Sequence, residues 1–180
     1  MECNRGHFDE SLNIRSLERF LSDQGHVDIT RYFPIHSKKE NTAVIGSGPA
    51  GLSAAYHLAR LGYHVTIFEA RSELGGMLRY GIPSYRLPKS VLESEIEKIL
   101  SLGIQAKLET TAGKDVSWKD LESFDAVFIS LGLQSGKTLF ERDGSEDDIL
   151  TGLDFLIDPQ KWVLEDPQQK RLSLEVVMLP

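Results

Sequence analysis

The 180-residue chain contains one cysteine, Cys3, and that scarcity sets the first limits on its chemistry. No disulfide can close within the chain, and no dithiol pair can act as an internal redox relay. A single thiolate cannot hold an iron–sulfur cluster by itself, since such clusters usually take four, so any cluster would need ligands from elsewhere. Long apolar runs are also missing. None approaches the roughly 18 residues needed to span a bilayer, and the opening MECNRGHFDE lacks the charged-then-apolar order of a signal peptide. A cytoplasmic location and no membrane partner are the expectation. Positive charge is in deficit: 20 basic residues against 27 acidic ones leave a net charge of −7, with no basic stripe. Acidic side chains in that excess repel a phosphate backbone, so nucleic acid is not an expected partner.

What is present is ordinary for a globular protein, at 41% hydrophobic and 26% charged, and is enough for one buried α/β core. Residues 11–23 place Leu12, Leu17, Phe20 and Leu21 near helical spacing, with Ile14 beside them, and predict a short amphipathic helix. Residues 24–40, with Gly25, Pro34 and the run Lys38-Lys39-Glu40, look like a connecting loop that ends near Asn41. The period then changes. Thr42-Ala43-Val44-Ile45 is a short apolar strand, residues 49–61 are helical, and His64-Val65-Thr66-Ile67-Phe68 is a second strand. Residues 87–102 predict a helix with Val91, Leu92, Ile96, Ile99 and Leu100 on its apolar face and Gly103 ending it. A strand over 105–109 follows. Residues 125–130 form a continuous apolar run, as expected of a central parallel strand covered on both faces. A further helix is expected near 153–156, and no internal repeat occurs.

Gly46-Ser47-Gly48-Pro49-Ala50-Gly51 matches G-x-G-x-x-G directly after a strand and at the opening of a helix, the context that lifts this motif above chance. Gly46 permits a tight turn, Gly48 lets a pyrophosphate approach the backbone, and Gly51 lets the helix pack closely on the strand. The helix N-terminus then stabilises phosphate, and Pro49 costs little where first-turn N–H groups lack partners anyway. Glu69 ends the second strand 18 residues after Gly51, where a carboxylate accepts hydrogen bonds from ribose hydroxyls and repels a 2′-phosphate. This favours FAD or NAD over NADP at this loop. The bland alternative, a glycine turn serving packing alone, has to explain why turn, helix, strand and acid all fall in register.

The segment Gly75-Gly76-Met77-Leu78-Arg79-Tyr80-Gly81-Ile82-Pro83-Ser84-Tyr85-Arg86-Leu87-Pro88, with the glycine loop, resembles the glutamate synthase small subunit and the similar flavin domain of dihydropyrimidine dehydrogenase. These are members of the FAD-dependent pyridine nucleotide-disulfide oxidoreductase superfamily. The resemblance runs from about Cys3 to about Gly132. It implies an α/β, Rossmann-like FAD-binding domain with a parallel sheet at 41–135, preceded by a short helical segment at 1–40 that resembles the end of an iron–sulfur-type region. Residues 136–180 would connect towards an NAD(P)H-binding domain that is absent, since no second glycine fingerprint follows. Carried over, the cofactor-binding positions are the loop Gly46 to Gly51, then Glu69, Gly75, Gly76, Met77, Arg86, Ala112 and Gly132, while Cys3 could be the last of four cluster ligands. The lesser alternative for Arg86 is a surface ion pair with a nearby glutamate, and Cys3 could equally be an exposed thiol without a role. Ser130-Leu131 departs from the family's Ala-Thr at the strand-end turn, so Gly132 alone is carried over there.

The resemblance further implies FAD in this chain, with NAD(P)H and an iron–sulfur cluster only in an intact parent, and a redox partner subunit or domain. No catalytic acid or base is assigned, because the isoalloxazine performs the redox chemistry and the protein binds and orients it. His57 and His64 fit packing or surface roles. Two competing readings are a noncatalytic Rossmann-shaped domain that docks a partner subunit, and an NAD-binding dehydrogenase domain. The glycine loop and Glu69 would serve the latter equally, but residues 75–88 have no obvious use in it.

Overall fold

The computed structural model describes residues 3–25, 36–133 and 152–157. The chain divides into two compact units, Met1–Arg31 and Tyr32–Pro180. In the first, a 3-10 turn at Asn4–His7 precedes helix α1, Ile14–Gln24. Asn13 starts α1 by accepting a hydrogen bond from the Ser16 N–H at 3.2 Å, which satisfies one of the helix's unpaired first-turn donors. The helix expected from residue 11 therefore begins at Ile14. Its apolar residues Leu17, Phe20 and Leu21 are exposed.

The second unit holds β1 (Asn41–Ile45), α2 (Pro49–Arg60), β2 (His64–Phe68), α3 (Met77–Tyr80), α4 (Lys89–Leu100), β3 (Gln105–Lys107), α5 (Trp118–Leu121) and β4 (Ala126–Ile129). A six-residue helix, α6, covers Gly152–Ile157. Among the described residues the strands form one four-stranded sheet in the order β3-β2-β1-β4, and every pairing is parallel. In register, Val44 lies opposite Ile67 of β2 and Phe128 of β4. Strand order runs outward from β1 to β3 and then restarts on the other side of β1 with β4. The carboxyl ends of β1 and β4 therefore flank the point where chain direction across the sheet reverses, the crevice at which open α/β sheets bind ligands.

Side chains alternate across the strands and build a core on each face of the sheet. Val44, Val65 and Ile67 pack with Leu52, Ala55 and Ala59 of α2 and with Leu92 and Ile96 of α4. Ala43, Ile45 and Phe68 pack on the other face with Leu121 of α5, where the Phe124 ring meets Phe68 edge-on at 5.8 Å. Burying each such Val, Leu, Ile or Phe contributes about 1.5–3 kcal/mol relative to leaving it in water, which is what holds α2 and α4 on the sheet.

Three sequence expectations need correction. Among the described residues β4 is an edge strand, hydrogen-bonded to β1 alone, and Val127, Phe128 and Ile129 are exposed. An apolar run states what a strand can bury, and the neighbours decide what it does bury. β3 stops at Lys107, because Glu109 takes φ 51° and the chain turns across the end of β2, with the Thr110 N–H donating to Glu69 O at 2.8 Å. In α4, Leu92 and Ile96 are buried as expected, while Val91 faces solvent.

Candidate dinucleotide-binding site

Five stretches of chain converge at the carboxyl end of the sheet. β1 ends at Ile45 and turns at Gly46, which takes φ 94° and donates its N–H to Phe68 O at 2.8 Å. A Cβ on Gly46 would lie 2.5 Å from Ser130 O, so the turn needs glycine for space as well as conformation. Gly48 caps α2 in an extended conformation with Pro49 at the first helical position, and no side chain caps the helix. The N–H groups of the opening turn of a helix have no partner within the helix and carry its positive dipole end. Gly51 lies beneath the loop, where a Cβ would come within 1.9 Å of Gly46 O and 2.7 Å of Ser130 Oγ. Helix and strand approach too closely there for any side chain.

Glu69, at the end of β2, is buried and hydrogen-bonded through both carboxylate oxygens. Its Oε2 accepts hydrogen bonds from the Ser47 N–H at 2.9 Å and the Ser47 hydroxyl at 2.5 Å, and its Oε1 accepts from the Arg71 N–H at 2.9 Å. The carboxylate therefore ties the glycine loop to β2. Gly75 and Gly76 both take positive φ, 121° and 52°, and the Gly75 N–H reaches Ser47 O and Ser47 Oγ, each at 3.1 Å. A Cβ on Gly76 would fall 2.7 Å from Gly48 Cα, so the two glycine turns meet backbone to backbone.

Between these stretches lies a cleft of about 440 Å³. Gly46, Ser47, Gly48, Pro49 and Ala50 line it, as do Glu69, Gly76, Met77, Ala112 and Gly132. Ten of the residues picked out from sequence thus share one cavity, counted from its lining. Gly51 and Gly75 stand just behind the wall as packing positions. Arg86 is exposed on the turn before α4 and is not among the lining residues. Cys3 lies in the first unit, where backbone hydrogen bonds from Leu12, Arg5 and Gly6 hold its thiol below the usual range. Among the described residues no group of three or more His, Cys, Asp or Glu side chains is arranged to hold a metal ion.

Sequence reasoning passed over several residues that build the cleft. The Arg71 guanidinium stacks 4.3 Å from the Tyr80 ring centre, and both residues line the cavity. Ser130, discounted as a departure from the Ala-Thr pattern, donates its hydroxyl to Ile45 O at 2.9 Å and Gly46 O at 3.0 Å, fastening β4 to the glycine turn. Arg79 is buried and holds the segment after Gly76, donating to Leu74 O at 2.7 Å and pairing with Glu73 at 2.9 Å and Glu93 at 3.2 Å.

Known proteins are similar to this chain in sequence and in fold. Residues 44–98 match the family described as NAD(P)-binding Rossmann-like domain. The chain is 44% identical over 161 residues to the NADP(+)-dependent formate dehydrogenase subunit beta of Moorella thermoacetica, covering 76% of this chain and 23% of that protein. It is 39% identical over 144 residues to the NAD-dependent dihydropyrimidine dehydrogenase subunit PreT of Salmonella typhimurium, covering 78% of this chain and 35% of that protein. The chain thus spans about a quarter to a third of the length of these curated relatives. Among solved structures, FprA from Mycobacterium tuberculosis in complex with NADPH superposes with a TM-score of 0.60 at 22% identity, over 66% of this chain and 28% of FprA, which establishes the fold. With its glycine turn, its parallel strand order and these relatives, the chain carries a Rossmann-like domain over residues 44–98 and is similar over about three quarters of its length to subunits of NAD(P)-dependent dehydrogenases.

Proposed function

We propose that the cleft at the end of β1 and β4 holds the ADP part of FAD, and that the chain is the flavin-binding, electron-transferring portion of an NAD(P)H-dependent oxidoreductase. The carrying observation is Gly48: a Cβ built there meets no protein atom within 4 Å, while the same residue lines the cleft. Glycine is not needed at this position for packing, and a site for close pyrophosphate approach accounts for it. In this reading the loop 46–50 and the opening of α2 hold the pyrophosphate. Glu69 takes a ribose hydroxyl on Oε1, Ala112 lies at the adenine end, and Gly76, Met77 and Gly132 line the path towards the flavin ring. The bound flavin supplies the redox chemistry, accepting hydride and releasing electrons, while the chain's own residues bind, orient and shield it. Glu69 disfavours a 2′-phosphate here, so NADP(H) is assigned to another part of the parent protein.

By itself the chain is not expected to turn over. Both relatives described above are several times longer and both are named as subunits, which supports a redox partner subunit or domain. NAD(P)H and an iron–sulfur cluster, the latter with Cys3 as one ligand, belong to that intact assembly in this reading. Soluble assembly in the cytoplasm is part of the same proposal. No described helix is long and apolar enough to cross a membrane.

The rival reading, an NAD site, is favoured by the description of the family that matches residues 44–98. Titration of the purified chain with FAD and separately with NAD, followed by flavin fluorescence and thermal unfolding, decides between them. FAD is expected to raise the unfolding temperature, and Glu69→Ala to abolish that rise. Stabilisation by NAD in preference to FAD would overturn the flavin assignment. Silence towards both would favour a domain kept for docking a partner.

A further inference from the structure

We infer that Ser47, occupying a variable position of the glycine motif, is a positioning residue whose hydroxyl latches Glu69 to the Gly75-Gly76 turn and so sets the carboxylate for ribose. This rests on the cofactor reading above. Ser47 is wholly buried in the wall of the cleft. That hydroxyl has one proton to donate and lone pairs to accept with. It donates to Glu69 Oε2 at 2.5 Å and accepts from the Gly75 N–H at 3.1 Å. The two partners are 22 and 28 residues away in sequence, so a single side chain joins three of the stretches that form the site.

The consequence lies in which oxygen of Glu69 remains available. Oε2 receives both the N–H and the hydroxyl of Ser47, and is held on the loop side. Oε1 receives one protein donor, the Arg71 N–H at 2.9 Å. A carboxylate oxygen has two lone-pair sites, which leaves one on Oε1 for a ribose hydroxyl. The terminal torsion of a glutamate is broad, and without the latch the carboxylate can turn about it and lose that aim. Charge-assisted hydrogen bonds of this kind are the stronger class, so the hydroxyl has leverage on the orientation.

The test measures binding of FAD, ADP and 2′-deoxy-ADP to wild-type chain, Ser47→Ala, Ser47→Cys, Glu69→Gln and the double variant Ser47→Ala/Glu69→Gln. Thermal unfolding establishes that each variant is folded, and Ser47→Cys keeps the volume while weakening the donor. Ser47→Ala is expected to weaken FAD and ADP by about tenfold and Ser47→Cys by less. The wild-type preference for ADP over 2′-deoxy-ADP should shrink towards unity in Ser47→Ala. The double variant should bind no worse than Glu69→Gln, because Ser47 acts through Glu69. Unchanged affinity in Ser47→Ala and Ser47→Cys, a loss that leaves the ADP to 2′-deoxy-ADP ratio intact, or additive losses in the double variant would each overturn the latch while leaving the cofactor reading standing. Failure of the wild-type chain to bind either FAD or ADP would overturn both.

Discussion

Gly48 and Gly51 sit three positions apart in one motif, and the absence of a side chain serves a different end at each. At Gly51 a Cβ would collide with Gly46 O, so Gly51→Ala forces the loop and α2 apart. The expected loss is roughly 1–3 kcal/mol, the range of overpacked cores, read as a lower urea midpoint. Gly48 has an extended backbone at φ −67°, ψ −178° and open space beside it, so Gly48→Ala should keep its stability within about 0.5 kcal/mol of wild type. In the proposed role it nonetheless loses FAD, because the methyl group occupies the pyrophosphate approach. A Gly48→Ala chain that binds FAD normally would show that the cleft does not use this opening. The Gly-x-Gly-x-x-Gly pattern was legible in sequence, with packing expected of Gly51 and ligand approach expected of Gly48, whereas the distances to what faces each position come from the fold.

At the scale of elements, the segments with a clear apolar pattern were readable and the four-residue helices were not. β2 has the expected bounds, and α2 and α4 agree to within two residues at each end, because an apolar face repeated over three turns is a strong signal. α5 has four residues, too few to show a period, and was not expected. What forms it is a cap. Ser117 Oγ accepts the Asp120 N–H at 3.1 Å, while Asp120 Oδ2 accepts from the Ser117 hydroxyl at 2.7 Å and the Ser117 N–H at 3.1 Å. The Ser117 hydroxyl, and then its N–H, hold the Asp120 carboxyl below the ordinary carboxylate range. A carboxyl whose folded pKa is depressed contributes stability that is fully present above its unfolded pKa, about 4, and is lost as pH falls through the lower folded value. Asp120→Asn should therefore unfold at a lower temperature than wild type near pH 7, with the gap closing as the pH is taken down from about 5 through the folded pKa. A gap that stays constant over that range would mean that the charge of Asp120 plays no part. Since α5 carries Leu121 into the core beneath Phe68, this small element is tied to the floor of the cleft.

For the molecule as a whole, the cleft is a product of strand order. Chain stretches around residues 46–50, 69–71, 76–77, 110–112 and 130–133 all border it, and they are brought together because β1 and β2 lie side by side while β4 returns to the far side of β1. A dinucleotide that fills it should damp local opening in all of them at once. Hydrogen–deuterium exchange with and without FAD is expected to show protection at each stretch. Protection restricted to 46–51 would limit the contact to the phosphate loop and remove Ala112 and Gly132 from the proposed site. Arg86 provides an internal contrast, since it lies outside the lining and its turn should exchange alike in both states.

The sequence by itself determined the β-α-β unit, its glycine turn, the acid at the end of β2 and the glycine pair that follows, because each is a local pattern whose period or conformational demand is written in neighbouring residues. It could not determine that Glu69 spends one oxygen on Ser47, that Ser130 fastens β4 to the turn, or that β4 stands at the edge of the described sheet. Those outcomes hang on contacts between residues 22 to 85 positions apart. Packing alone selects such pairs, so only the tertiary structure decided them.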